Sequence, residues 1–295
     1  MTTKISTTKV TKAVIPAAGF GTRFLPQTKA LPKEMLPIVD KPIIQYVVEE
    51  LVESGIKNIV IVTGWHKRAI EDHFDYPFEL EQRLKEWGKL ELLEKVRKIA
   101  DMANFIYVRQ KGPYGNATPV LSAREVIGDE PFVVVWGDEF IYSKPPRVKQ
   151  CLEVFEKYGD PVISAIKVPK KDVGRYGIVD VKHIEDNIYQ IFKLLEKPKP
   201  EETPSTLAAH GCYVFTPDIF EDLARLKPGK AGEYWLTDAI AAMMKRRPVY
   251  ACEIQNGKYY DTGNKIEYLK AVVEFALNHA DLNGEFRKYL KSLKL

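Results

Sequence analysis

Val14-Ile15-Pro16-Ala17-Ala18-Gly19-Phe20-Gly21-Thr22-Arg23 is the stretch on which the fold turns. It leaves an apolar run that starts at Lys12, passes through small residues and reaches a cation. Small residues let backbone N–H groups approach a phosphate chain, because no Cβ holds the ligand off. Arg23 can then place a planar fork of donors on phosphate oxygens. A lone G-x-G is most often an ordinary turn, so the neighbouring pattern has to decide. The dinucleotide-binding G-x-G-x-x-G pattern fails, because Phe24 stands at the third glycine position. A Walker A loop fails too, since no G-K-[ST] follows. A third kind of phosphate loop is needed.

Just downstream lies Leu31-Pro32-Lys33-Glu34-Met35-Leu36-Pro37. Prolines on both sides stiffen a loop that holds Lys33 and Glu34 in fixed directions. Taken alone, Lys33 would be a solvated surface lysine. Beside the glycine turn, a second phosphate contact is the better reading.

Further out, apolar runs rich in β-branched residues alternate with helical patterns, which predicts an α/β fold with a mostly parallel sheet. Strands are expected at Lys12–Ile15, Asn58–Val62, Phe105–Val108 and Phe132–Val135. Helices are expected at Lys41–Glu53, where Ile44, Val47, Val48 and Leu51 repeat at helical spacing, and near Pro119–Val126. Phe78–Ala100 reads as a charged helical insertion outside the sheet. Strands near Val162–Val168, Gly177–Val181, Ile188–Leu194 and Cys212–Phe215 suggest a small additional antiparallel sheet. A last strand at Val249–Glu253 precedes C-terminal helices at Lys265–Ala280 and Glu285–Leu293. One domain over 1–295 is expected, with a catalytic core at 10–263 and a helical appendix at 264–295.

Composition bounds the function. The 295 residues are 45% hydrophobic and 28% charged, as in an ordinary globular protein. Cys151, Cys212 and Cys252 are far apart in sequence and form no C-x-x-C, which argues against a disulfide framework or a zinc site. A reducing cytoplasm is the expected setting. The polar start carries no signal-peptide core, and no apolar run approaches the roughly 20 residues that span a bilayer. The net charge of +4 is dispersed, so no nucleic-acid partner is expected. No H-x-x-x-H or H-E-x-x-H pattern occurs among the five histidines, and Met35 reads as core.

The two motifs together, A-A-G-x-G-T-R followed by K-E-M-L-P, resemble those of the sugar-1-phosphate nucleotidylyltransferases. The likeness runs over essentially the whole chain, through Ile70–Asp75, Gly232-Glu233, Leu236–Ile240 and Asp261–Lys265. It implies a Rossmann-like three-layer nucleotidyltransferase fold. Thr28–Val48 and the helical insertion are most similar to the branch that joins UTP to glucose 1-phosphate. The resemblance implies Mg²⁺ held by Asp138 and Asp261. Each follows an apolar strand, and so falls at the carboxyl edge where open α/β sheets bind ligands. A strand-end Asp taken singly is as readily a helix N-cap.

By the same resemblance, Ala17, Ala18, Gly19, Gly21, Thr22 and Glu34 bind nucleotide, with Gln110 and Gly115 at the base. Tyr176, Gly177, Glu196, Lys197 and Glu233 bind the sugar phosphate. Arg23, Lys33 and Lys197 are the catalytic cations of an in-line displacement. Trp136-Gly137, Asn116–Pro119 and Tyr234-Trp235 depart from the usual strings of that branch. Use of dTTP, or promiscuity, stays open. So does a regulatory subunit that binds nucleotide sugars without catalysis. A homo-oligomer is expected from the family's habit.

Overall fold

The computed structural model describes residues 9–229 and 232–293. The polar start therefore lies mostly outside the described residues. Among them, the strands are β1 (Lys12–Ala17), β2 (Pro37–Ile38), β3 (Lys41–Pro42), β4 (Asn58–Thr63), β5 (Asn104–Arg109), β6 (Phe132–Val135) and β7 (Phe140–Ser143). There follow β8 (Val162–Lys167), β9 (Gly177–Glu185), β10 (Ile188–Glu196), β11 (Leu207–Phe215), β12 (Tyr250–Glu253) and β13 (Gly257–Tyr260).

Nine of these form one sheet in the order β5-β4-β1-β6-β11-β8-β12-β10-β9. The first four run parallel, as expected from their apolar runs. Past β6 the directions are mixed: β11 is antiparallel to both β6 and β8, β12 is parallel to β8, and β10 is antiparallel to β12 and β9. The sheet is thus mixed rather than mostly parallel. The expected additional antiparallel sheet is the far half of the same sheet. Apolar patterning marks a strand as buried on both faces, but carries no sign of its direction.

Two small sheets stand apart, β2 with β3 and β7 with β13. Neither β7 nor β13 is signalled by the sequence, and both matter below. The helix expected from Lys41 begins at Ile43, because Lys41-Pro42 pairs with Pro37-Ile38 instead. The insertion is two helices, Phe78–Glu86 and Leu90–Ala100, broken at Gly88, whose φ of 68° suits glycine.

The core has a layer on each face of the sheet. On one face Ile15, Val133 and Val135 pack with Val47, Val48 and Leu51, and with Val148 and Phe155 from an unforeseen helix at Arg147–Tyr158. On the other, Val14, Val60, Val62 and Val134 pack with Val120, Leu223 and Ile240 of three shorter helices. Alternate residues of β1 and β6 therefore serve opposite layers.

The three cysteines, far apart in sequence, are buried together, and Cys212 and Cys252 neighbour the Cys151 thiol. Burial, with those thiols beside it, pushes the Cys151 thiol well up. The C-terminal helix Lys265–Asn278, capped by Asn264 Oδ1, lies against the core: Tyr268 donates to Pro37 O at 2.7 Å, and Phe275 packs on Tyr46, Phe140 and Tyr260. No helix of the described residues is long and apolar enough to cross a membrane.

Candidate active site

Adjacent parallel strands end side by side, so the loops after β1 and β6 meet at the carboxyl edge of the sheet. There a cleft of about 800 Å³ opens. Ala18, Gly19, Arg23, Lys33, Glu34, Gln110 and Gly115 line it from the first part of the chain. Tyr176, Gly177, Glu196, Lys197 and Glu233 line it from the second, together with Asp138 and Asp261. Gly21 and Thr22 face an adjoining space of about 210 Å³, shared with Gly19, Arg23, Lys33 and Asp138. Ala17 belongs to β1, is buried, and lines neither.

The glycine loop is shaped by what surrounds it. Gly21 has φ 68°, and its carbonyl accepts from Thr28 Oγ1 at 2.7 Å. A Cβ there would stand 3.2 Å from Lys33 Cβ, so the loop and the lysine segment lie in contact. Lys33 Nζ is ion-paired to Asp138 Oδ2. Burial opposes both charges, yet the pairing prevails: Lys33 is held above the ordinary lysine range and Asp138 below the ordinary carboxylate range. Arg23 folds over Gly263, where a Cβ would fall 2.7 Å from its Nη2.

Asp138 and Asp261 come together through the small sheet that the sequence concealed. Phe140 in β7 is opposite Tyr260 in β13, so the residues just before β7 and just after β13 share one end of the pair. Tyr259 Oη donates to Glu139 Oε2 at 2.8 Å, and Thr262 Oγ1 donates to Asp138 O. Arg175 Nη2 donates to Asp261 Oδ2 at 3.0 Å. Among the described residues no cluster of three or more His, Cys, Asp or Glu could hold a metal. Two carboxylates in one cleft, each engaged with a cation through Oδ2, nonetheless fit the Mg²⁺ preference for one or two carboxylates plus phosphate oxygens and water.

On the side expected to take the sugar phosphate, Gly177 begins β9 opposite Glu196, which ends β10. A Cβ at Gly177 would approach Glu196 Oε2 to 3.5 Å. Burial raises the Glu196 carboxyl above its ordinary range despite the neighbouring Lys197. Lys197 has φ 47°, unusual for a side chain with a Cβ, and its ammonium lies 5.8 Å over the Trp235 ring.

Two expected nucleotide residues have structural surroundings of their own. Glu34 is fully buried and accepts from Lys67 Nζ at 2.7 Å; Lys67 is buried too and was not singled out in the sequence. Burial pushes Glu34 up and Lys67 down, each toward neutrality, and their pairing resists this. Gly115 has φ 137°, and a Cβ would fall 2.1 Å from Tyr234 O. Its missing side chain makes room for that backbone, which accepts from Ala117 N at 3.1 Å. Gln110 lines the cleft directly after β5, its N–H bonded to Thr63 O at 3.0 Å.

Around Tyr176 and Gly211 lie residues that sequence reading missed. Burial pushes the Glu139 carboxyl up to about 7, and its Oε1 presses against Gly211, where a Cβ would stand at 1.8 Å. His210 is buried against Tyr176 and Tyr259, with ring centroids 4.7 and 4.1 Å away. The buried Arg147 is bidentate to Glu50 at 3.1 and 2.9 Å and also reaches the His210 carbonyl.

Against known proteins, the profile of the family described as "Nucleotidyl transferase" matches residues 12–277. The chain is 49% identical over 287 residues to "UTP–glucose-1-phosphate uridylyltransferase 2" of Staphylococcus saprophyticus, covering 97% of this chain and 99% of that one. Among solved structures, it is similar to a UTP-bound UGPase from Acinetobacter baumannii with a TM-score of 0.90 and 36% identity, over 97% of this chain and 100% of that one. It is also similar to a UDP-glucose pyrophosphorylase complexed with UDP-glucose, with a TM-score of 0.83 and 40% identity, over 92% of this chain and 100% of that one.

Proposed function

This chain belongs to the nucleotidyl transferase family, and we propose that it transfers a uridylyl group from UTP to glucose 1-phosphate, forming UDP-glucose and pyrophosphate. The observation that supports the reading is one cleft lined by Arg23 and Lys33 near the glycine loop, by Glu196 and Lys197, and by both Asp138 and Asp261. Two polyanions must be brought together, and their repulsion is the main obstacle.

A phosphate oxygen of glucose 1-phosphate attacks the α-phosphorus of UTP in line as the bond to pyrophosphate breaks. The nucleophile is already an anion, so no side chain is required as general base. Lys197 receives the incoming phosphate, Glu196 accepts from sugar hydroxyls, and Arg23 and Lys33 take up charge on the departing pyrophosphate. Asp138 and Asp261 would hold Mg²⁺, which when bound supplies charge neutralisation to the phosphates. Lys33 would then exchange its Asp138 partner for phosphate oxygens. Orienting both substrates contributes on the order of 7–11 kcal/mol toward the barrier.

Burial of free thiols suits a reducing cytoplasm. Exposed Phe78, Trp87, Leu90 and Tyr289 on the insertion and the last helix offer apolar area to a homo-oligomer.

The deciding assay is pyrophosphate release with Mg²⁺ and glucose 1-phosphate, offering UTP and dTTP separately. Preference for UTP, abolished by Asp138→Asn, is expected. Preference for dTTP would move the chain to another branch of the family, and no release with any sugar phosphate would point to nucleotide-sugar binding without catalysis.

A further inference from the structure

Residues 259–263 touch the parts of the site expected to handle phosphate and metal. Tyr259 donates to Glu139, Asp261 pairs with Arg175, Thr262 donates to the carbonyl of Asp138, and Gly263 lies under Arg23. Asp261 is flanked by the two donors, and they grip the two consecutive residues Asp138 and Glu139. The segment between β6 and β7 is short and irregular, so β pairing alone does not fix the peptide plane after Asp138. The Thr262 hydroxyl does fix it, by holding the carbonyl of Asp138. Thr262 is almost fully buried, so water does not compete for that bond.

We propose that Thr262 is a positioning residue: its hydroxyl, bonded to the Asp138 carbonyl, sets the spacing and direction of the Asp138 and Asp261 carboxylates for a shared divalent cation. Tyr259 acts in the same sense from the other side, through Glu139. The two carboxylates are more than 120 residues apart in sequence, each in a loop beside a strand of only four residues. A pair of such short strands leaves slack that these two side-chain clasps remove. The β-pair brings the carboxylates to the same end, and the clasps set the gap a metal must fit. Loss of partners that orient metal ligands commonly weakens metal affinity 10–100-fold.

The inference rests on the metal reading of Asp138 and Asp261 above. Its test is Mn²⁺ binding by the whole protein, followed as loss of the free-ion electron paramagnetic resonance signal with and without UTP, alongside the Mg²⁺ dependence of turnover. Thr262→Val keeps the shape and removes the hydroxyl. It is expected to weaken Mn²⁺ binding and raise the Mg²⁺ half-saturation point roughly 10-fold or more, with the KM for glucose 1-phosphate little changed. Thr262→Ser keeps the donor and is expected to restore wild-type metal binding.

Tyr259→Phe, at a less buried position, is expected to shift Mn²⁺ binding in the same direction by less, and it carries the test if Thr262→Val does not fold. Wild-type Mn²⁺ binding in whichever of these variants fold would overturn the positioning role. So would equal losses in Thr262→Val and Thr262→Ser. Asp138→Asn is the control: if it binds Mn²⁺ as the wild type does, the metal reading itself falls, and this inference with it.

Discussion

Replacing Lys67 by Met should be among the more damaging single changes outside the cleft's own lining. The Lys67 and Glu34 side chains are each 1% exposed and meet at 2.7 Å. Glu34 Oε1 has no hydrogen-bond partner among the described residues, so Lys67 is the carboxylate's main compensation for leaving water. Removing one member of such a pair costs about 3–5 kcal/mol, because the charge left behind stays buried. With a midpoint shift of roughly 2–4 °C per kcal/mol for a chain somewhat shorter than this one, the melting temperature should fall by about 10 °C.

The loss should depend on pH. Without Lys67 the Glu34 carboxyl is raised further, so the folded state keeps a proton that the unfolded chain releases in the ordinary glutamate range. Folding then weakens as pH rises above that range, and the variant is penalised less at pH 5 than at pH 8. Urea denaturation at the two pH values measures this directly, and Lys67→Met combined with Glu34→Leu should recover most of the stability. A loss under about 1 kcal/mol, or one equal at both pH values, would refute the view that this pair is a buried charge couple beneath the glycine loop.

His210 gives the opposite use of burial. Its pKa is pushed down to about 4, so below the ordinary histidine value the unfolded chain takes a proton that the folded one refuses. That contribution is complete above about pH 6.5 and should fade as pH drops toward 4, by about 3 kcal/mol in all. Denaturation midpoints across this window should fall less steeply for His210→Gln, and parallel curves would contradict the assignment. Gly115→Ala places a Cβ 2.1 Å from Tyr234 O at φ 137°. It should cost more than about 1 kcal/mol and weaken UTP binding by moving the segment after Gln110; calorimetry showing neither would contradict the steric account.

Much of the parallel half was legible. Val14-Ile15, Ile59–Val62 and Phe132–Val135 are short apolar runs rich in β-branched residues, and the loops after the first and last carry Arg23 and Asp138. The direction of β11 was not, since it depends on partners across the sheet rather than on its own residues. β7 and β13 escaped because Phe140–Ser143 and Gly257–Tyr260 are too short to show alternation. Each is ordered by the other.

The same holds for isolated charges. Lys67 sits among Trp65, His66 and Arg68, a polar surface pattern, and its partner lies 33 residues away. Arg147 and Glu50 are 97 apart. Glycines divide likewise: Gly21 sits in a turn that its neighbours announce, whereas the need for Gly115 comes from Tyr234, more than a hundred residues on. Local chemistry could be read along the chain. Where distant segments meet, as Asp138 and Asp261 do, the residues alone gave no sign and only the resemblance suggested it.

That β13 follows the other segments of the site in chain order has a consequence for synthesis. A chain growing from its N-terminus completes the glycine loop, Lys33, Asp138 and the Glu196–Lys197 pair well before Asp261 and Thr262 are made. Until then β7 has no partner strand in this sheet, and the second carboxylate does not exist. A chain ending before Gly257 contains all nine strands of the large sheet and still lacks Asp261 and Thr262. Catalytic competence therefore cannot arrive before β13 and the residues just after it have been translated.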